Sequence, residues 1–232
     1  MEIKGWEKIS LLDFPGGICS TLFLGGCNFR CPYCHNRELV LEPQNLPTIP
    51  AEEVLNFLRQ RSSILDAVCL SGGEPTLQEE LFFFLAEIKK LGLKVKLDTN
   101  GTRPRVISRL LEAGLLDYVA LDLKAPYAKY PSLTGTAADT AEVKETVALL
   151  KDSSFEHEFR TTVVPELLKE EDILDIAREI AGGRLYVLQQ FYPRSTMIDP
   201  SLLSLQPYSR EKIAQVAHLC QKILQKVHLR GF

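Results

Sequence analysis

The 232-residue chain is 45% hydrophobic and 25% charged, ordinary globular material, long enough for one large domain and short for two. Its formal net charge of −3 gives no electrostatic footprint for nucleic acid or an anionic membrane surface, so neither is expected as a partner. No run of ~18 apolar residues exists to span a bilayer. Residues 1–10 carry Glu2, Lys4, Glu7 and Lys8 with no apolar stretch, and do not read as a signal peptide. The expected location is the cytoplasm, where thiols stay reduced and cysteines serve metals or catalysis.

In chain order, a lead segment of residues 1–16 precedes six β-rich runs at residues 18–24, 67–71, 94–98, 118–124, 155–164 and 185–191. Residues 42–50 read as a loop entering a helix, with Pro50 near its N-terminus. Leu81, Phe84, Leu85, Ile88 and Leu91 recur at helical spacing between the second and third runs. A last helical stripe takes Ile213, Val216, Ala217, Cys220, Ile223, Leu224 and Val227. There is no internal repeat. The organisation expected is a single domain over residues 1–232: the lead segment, a core over residues 17–193, and an extension over residues 194–232 with an amphipathic helix.

Six β–α alternations point to an α/β fold with a parallel sheet and right-handed crossovers. Parity within the runs narrows the choice. Lys94, Lys96 and Asp98 share one face against Val95 and Leu97, and Asp122 and Lys124 oppose Val119, Leu121 and Leu123. Glu156, Glu158, Arg160 and Thr162 oppose Phe155, Phe159 and Val163. A doubly wound sheet would read as nearly continuous apolar runs, and a closed eight-stranded barrel fills its interior with Val, Ile and Leu. One charged face per strand suits a partial, splayed (β/α)6 barrel around something polar; the alternative is that this face is simply solvated.

Six cysteines are present: Cys19, Cys27, Cys31, Cys34, Cys69 and Cys220. Three crowd into the loop after the first run, Gly25-Gly26-Cys27-Asn28-Phe29-Arg30-Cys31-Pro32-Tyr33-Cys34-His35-Asn36. Thiolates are soft ligands that select zinc or iron–sulfur. Structural zinc wants four closed ligands, and His35 adjoins Cys34 too closely for comfort as the fourth. Three thiolates on a four-iron cube leave one iron open for a substrate or cofactor. A zinc site completed from afar remains the alternative.

With an aromatic before its third cysteine, this C-x3-C-x2-C loop resembles that of the radical S-adenosylmethionine (SAM) superfamily. Ser71-Gly72-Gly73-Glu74-Pro75, Asp98-Thr99-Asn100-Gly101, Asp122-Leu123-Lys124 and Arg160 follow in the family's order. Together they resemble the glycyl radical enzyme activating enzymes. Gly5-Trp6-Glu7-Lys8-Ile9-Ser10 with Asp13-Phe14-Pro15-Gly16, Gly25-Gly26-Cys27-Asn28, Cys34-His35-Asn36 and Arg160-Thr161-Thr162 add a likeness to the anaerobic ribonucleoside-triphosphate reductase activating type. The resemblance runs from Gly5 to about Pro193 and is weak beyond.

It implies a 4Fe–4S cluster on Cys27, Cys31 and Cys34. It also implies SAM contacts from Tyr33, His35, Gly72, Gly73, Glu74, Asp98, Asn100, Asp122, Lys124 and Arg160, and a monovalent cation near Asp98, Thr99 and Asp122. Related enzymes carry a SAM-touching histidine after the sixth strand; here the stretch has Gln190, a candidate neutral substitute. The implied partners are a glycyl radical enzyme and a reduced flavodoxin or ferredoxin as electron donor. The rivals are a radical SAM enzyme acting on a small molecule or peptide, such as a deazapurine synthase, and a non-enzymatic zinc or iron–sulfur module. Cys69 and Cys220 read as small buried hydrophobes, Trp6 as recognition or packing, and Cys19 has no obvious role.

Overall fold

The computed structural model describes residues 1–136, 140–152 and 154–232, and the chain divides into two compact units. The first comprises residues 1–28, 38–99 and 103–119. It contains β1 (Ile3–Ser10), β2 (Cys19–Leu24), α1 (Arg37–Leu41, whose first residue falls outside the unit), α2 (Ala51–Arg61), β3 (Ala67–Gly72), α3 (Leu81–Lys90), β4 (Lys94–Thr99) and α4 (Pro104–Glu112). β1 runs antiparallel to β2, while β2, β3 and β4 are parallel; Thr21 lies opposite Cys69, and Cys69 opposite Lys96. The helical stripe of α3 is buried at Leu81, Phe84, Leu85 and Ile88, each side chain stabilising the fold by roughly 1.5–3 kcal/mol. α3 packs on β4 and on α2. Pro104 opens α4 where a missing N–H costs nothing.

The second unit comprises residues 29–37, 100–102 and 120–232, so the division falls within β5 (Tyr118–Asp122). It holds α5 (Tyr130–Thr134), α6 (Thr140–Asp152), β6 (His157–Val163), α7 (Glu170–Glu179), β7 (Tyr186–Gln190), α8 (Arg210–Cys220) and β8 (Val227–Arg230). β6, β7 and β8 are parallel, with Arg160 opposite Val187 and Gln189 opposite Arg230. α7 packs on α8, and α8 on β8.

Within each unit strand order follows chain order, and every pairing among the described residues but that of β1 with β2 is parallel, as in the α/β class. Two strands escape the sequence reading. In β1 lysines and glutamates interrupt the apolar pattern, because only Ile3 is buried, Lys4 to Trp6 are half-buried and Glu7 to Ile9 face solvent. β8 is four residues long, and its Val227 falls in helical register with the stripe before it. That stripe is a correction: α8 stops at Cys220, whose carbonyl takes N–H bonds from both Ile223 and Leu224 at 2.9 Å, and the chain turns into β8. The fourth run ends at Asp122 rather than Lys124, and the fifth starts at His157, whose ring bonds the Phe155 carbonyl in the preceding turn.

The charged faces are solvated only at their starts, where Lys94 and Glu156 are exposed. Lys96 is buried and reaches Asp98 at 2.5 Å in the first unit. Glu158 and Arg160 are buried in the second.

Candidate cofactor site

In the first unit, the ends of β2 and β3 fix the Gly25-Gly26-Cys27 tract. Gly25 N donates to Glu2 O and Gly26 N to Leu39 O, both at 2.8 Å, and Gln78 Nε2 donates to Gly25 O at 3.0 Å. Glu74 N donates to Gly26 O and Gly73 N to Leu24 O, again at 2.8 Å. This close approach is why two glycines end β3. Gly72 has φ +107°, and a Cβ at Gly73 would stand 1.9 Å from Gly26 O. The fully buried Glu74 accepts from Thr76 N (3.1 Å), Thr76 Oγ1 (2.5 Å) and Thr99 Oγ1 (2.8 Å). Burying this carboxylate requires such donors, so Thr99 and Glu74 hold the ends of β4 and β3 in one hydrogen-bonded arrangement. Asp98 holds Lys96.

In the second unit, Cys31 is buried and Cys34 partly so. Cys34 N donates to Cys31 O at 3.0 Å, closing a turn over Pro32 and Tyr33. Segments distant in sequence anchor that turn: Ile198 N donates to Cys34 O (3.2 Å), Asp199 N to Pro32 O (2.9 Å) and Arg30 N to Thr134 O (2.6 Å). His35 Nε2 meets Tyr192 O at 2.8 Å, and burial lowers the pKa of its ring. The anchoring stretch 192–199 lies largely beyond Pro193, where the sequence offered little.

Beside the turn stands a buried set of charges. Burial alone would raise the Asp122 pKa, but Arg160 (Nε to Oδ1 2.7 Å) and Lys124 (Nζ to Oδ2 3.3 Å) hold it below the ordinary carboxylate value. Burial would likewise strip the proton from Lys124, yet Asp122, Tyr33, Cys31 and Cys34 hold its pKa well above the ordinary lysine value. Desolvation raises the Tyr33 phenol and the Cys34 thiol, the latter opposed by the Asn36 backbone and by Lys124. Arg160 also lies 3.8 Å from Glu158 Oε1, while Arg230 grips Glu158 with two bonds of 3.0 and 2.9 Å. Sequence reasoning missed Arg230; its only signal is a basic residue closing the short run Val227-His228-Leu229-Arg230.

The other expected residues are engaged within their own units. Asn100 Oδ1 accepts from Thr102 N and Oγ1, a local turn supporting Gly101. Gln190 Nε2 donates to Tyr208 O at 2.9 Å and its Oε1 accepts from Phe191 N at 3.2 Å. Trp6 Nε1 donates to Ser20 Oγ at 2.8 Å, with its ring edge-on to Phe57. Cys69 and Cys220 are buried as expected. Cys19 Sγ lies 3.6 Å from Ser10 O and packs in one buried cluster with Cys69, whose proximity lowers its thiol pKa to about 7 while that of Cys69 is raised.

A family model described as the radical SAM superfamily matches residues 21–180. A Methanocaldococcus jannaschii protein provisionally named a glycyl-radical enzyme activating enzyme is 36% identical over 98% of this chain and 95% of its own length. The chain therefore belongs to the radical SAM superfamily and is an enzyme of the glycyl-radical enzyme activating type. The pyruvate formate-lyase 1-activating enzyme of Escherichia coli is 37% identical over 53% of this chain and 52% of its own. Among solved structures, SuiB of Streptococcus suis bound to S-adenosylmethionine shares the fold, with a TM-score of 0.69 at 14% identity over 88% of this chain and 48% of that one.

Membership implies a 4Fe–4S cluster and SAM. The donor set fits: three thiols within eight residues are the soft ligands an iron–sulfur cube takes. Among the described residues no three His, Cys, Asp or Glu groups gather as a single metal ion would require. A cube asks something different, one thiolate for each of three irons. No helix among the described residues is long and apolar enough to cross a membrane.

Proposed function

We propose that Cys27, Cys31 and Cys34 hold the 4Fe–4S cluster, with its fourth iron left for SAM, and that the chain generates a radical on a glycine of a partner glycyl radical enzyme of the anaerobic ribonucleotide reductase kind. The observation that carries this reading is the loop of residues 27–34: three thiols, a buried turn and no fourth cysteine in the loop. When bound, the cofactors supply a one-electron reductive cleavage of the SAM sulfonium to methionine and a 5′-deoxyadenosyl radical, which takes hydrogen from a glycine Cα. The residues of the chain bind, orient and exclude water.

Lys124 and Arg160, charged and largely buried, offer attraction to the SAM carboxylate. Glu74 and the backbone freed by Gly72 and Gly73 suit its ammonium. Tyr33 and His35 supply ring surface for adenine; Asp98, Asn100 and Gln190 are polar candidates for the remaining groups. Asp98, Thr99 and Asp122 carry the oxygen atoms a monovalent cation would take. A reduced flavodoxin or ferredoxin completes the cycle as electron donor. Support for the reductase-activating kind comes from the motifs at residues 5–16, 25–28, 34–36 and 160–162.

The test is anaerobic incubation of the reconstituted protein with SAM, reductant and a candidate anaerobic ribonucleotide reductase, read by electron paramagnetic resonance. The expected result is a doublet glycyl radical on the partner and faster 5′-deoxyadenosine formation in its presence. Strong, saturable stimulation by a small metabolite, with no radical on any partner, would refute the assignment.

A further inference from the structure

The first unit carries a cleft of about 450 Å³ between the start of α3 and α4, apart from the residues assigned to SAM. Arg103, Arg105 and Arg109 line it on one side, and Gln78, Glu79 and Phe82 on the other. All three arginines are exposed, and among the described residues none forms an ion pair; Arg109 lies over the Phe82 ring at 4.6 Å. Phe82 meets Phe83 edge-on at 5.9 Å, and Phe83 is 71% exposed. Glu79 is the one carboxylate in the lining, while the neighbouring Glu80 is taken by the Met1 ammonium at 2.8 Å. A chain of net charge −3 thus places three guanidiniums against one carboxylate here, beside bare aromatic surface.

Unpaired arginines next to exposed aromatic rings are the composition of a protein-docking face, and their sign selects an acidic partner. The cleft also leads to the cofactor loop. Gln78, in its lining, bonds Gly25 O two residues before Cys27, and Thr76, also in the lining, bonds Glu74, whose N–H holds Gly26 O. Gln78, across the cleft from the arginines, is thus one hydrogen bond from the backbone that leads into Cys27.

We propose that this basic cleft docks an acidic one-electron carrier protein, resting on the reading of residues 27–34 as a redox cofactor loop. In each encounter the carrier loses one electron and the cofactor gains it, with no bond or proton exchanged. Arginines steer the approach, so the effect falls on association and on its salt dependence.

The experiment uses the full chain and, as probe, a flavodoxin of low isoelectric point. Binding is measured by calorimetry at low and high salt for wild type, for R103Q/R105Q/R109Q and for R103E/R105E/R109E. The expected result is salt-sensitive binding by wild type, weaker binding by the Gln variant, and a loss of tenfold or more at low salt in the Glu variant. The exposure of these arginines predicts unchanged thermal midpoints. Wild-type failure to bind the flavodoxin, or affinities equal across the three proteins, overturns the proposal. Absence of a brown chromophore after anaerobic reconstitution would instead refute the cofactor reading, and the binding comparison is read independently of it.

Discussion

Replacing Gly73 with alanine tests the packing beneath the cofactor loop most directly. The added Cβ would stand 1.9 Å from Gly26 O and 2.6 Å from Gly26 C, against the 3.0 Å that real Cβ atoms keep. Backbone must therefore part by about 1.1 Å (3.0 − 1.9), because the obstacle is a peptide group and not the end of a flexible side chain. Overpacking of this kind costs ~1–3 kcal/mol. The separation also stretches the two bonds that hold the place, Glu74 N to Gly26 O and Gly73 N to Leu24 O, at roughly 1 kcal/mol each. The sum, about 3–5 kcal/mol, corresponds to a fall of roughly 6–20 °C in thermal midpoint for a chain of this size. G92A is the control. Gly92 has φ +77° with nothing within 4 Å of an added methyl, so it loses only the left-handed backbone preference, ~1–2 kcal/mol. Both variants are melted by circular dichroism, and their iron content is measured after anaerobic reconstitution. G73A should lose both stability and iron, whereas G92A keeps its iron. A G73A protein that melts with wild type refutes the steric argument.

C27A, C31A and C34A should each abolish the visible absorbance and iron content of the reconstituted protein, while C69A and C220A retain them; survival of the cluster in C31A would sink the assignment. K124A and R160A should bind SAM about tenfold or more weakly in equilibrium titrations while keeping the cluster, since a charge-assisted bond contributes roughly 1.5–3 kcal/mol; unchanged affinity in both would place them outside the SAM site. D122N removes one carboxylate from Lys124 and from Arg160, which keeps Glu158 at 3.8 Å, and should cost about 1.5–3 kcal/mol by denaturant titration at pH 7. The folded Asp122 pKa lies below the ordinary 3.8, so the gap between wild type and D122N is full above about pH 4 and closes as pH falls through the folded value. A gap that grows on acidification would contradict the sign.

Much of the candidate site was legible in the residues because its chemistry is local. Three thiols within eight residues read as a soft metal centre, while Gly72-Gly73 offered only backbone freedom at a strand end until the structure showed the close approach to Gly26. The charged parity of residues 94–98 and 155–164 showed that one strand face is not ordinary core. Other features were hidden because they depend on partners far along the chain. Arg230 reaches Glu158 across 72 residues, and nothing in the sequence around either one specifies the other. The hold on Cys34 O and Pro32 O comes from the backbone N–H groups of Ile198 and Asp199, and a backbone donor leaves no side-chain signature at all.

The sequence by itself therefore determined the α/β class and six of the eight strands among the described residues, since strand alternation is a property of short segments. Tertiary structure alone decided the rest. It turned β1 and β8 into paired strands, because an end strand's pattern is diluted by its exposed face and four residues carry no periodicity. It also moved the pKa of Asp122 down and that of Lys124 up, because only folding sets the two beside each other and beside Arg160. A charge on a strand face is ambiguous until its solvent is known, and solvent exposure is a property of the fold.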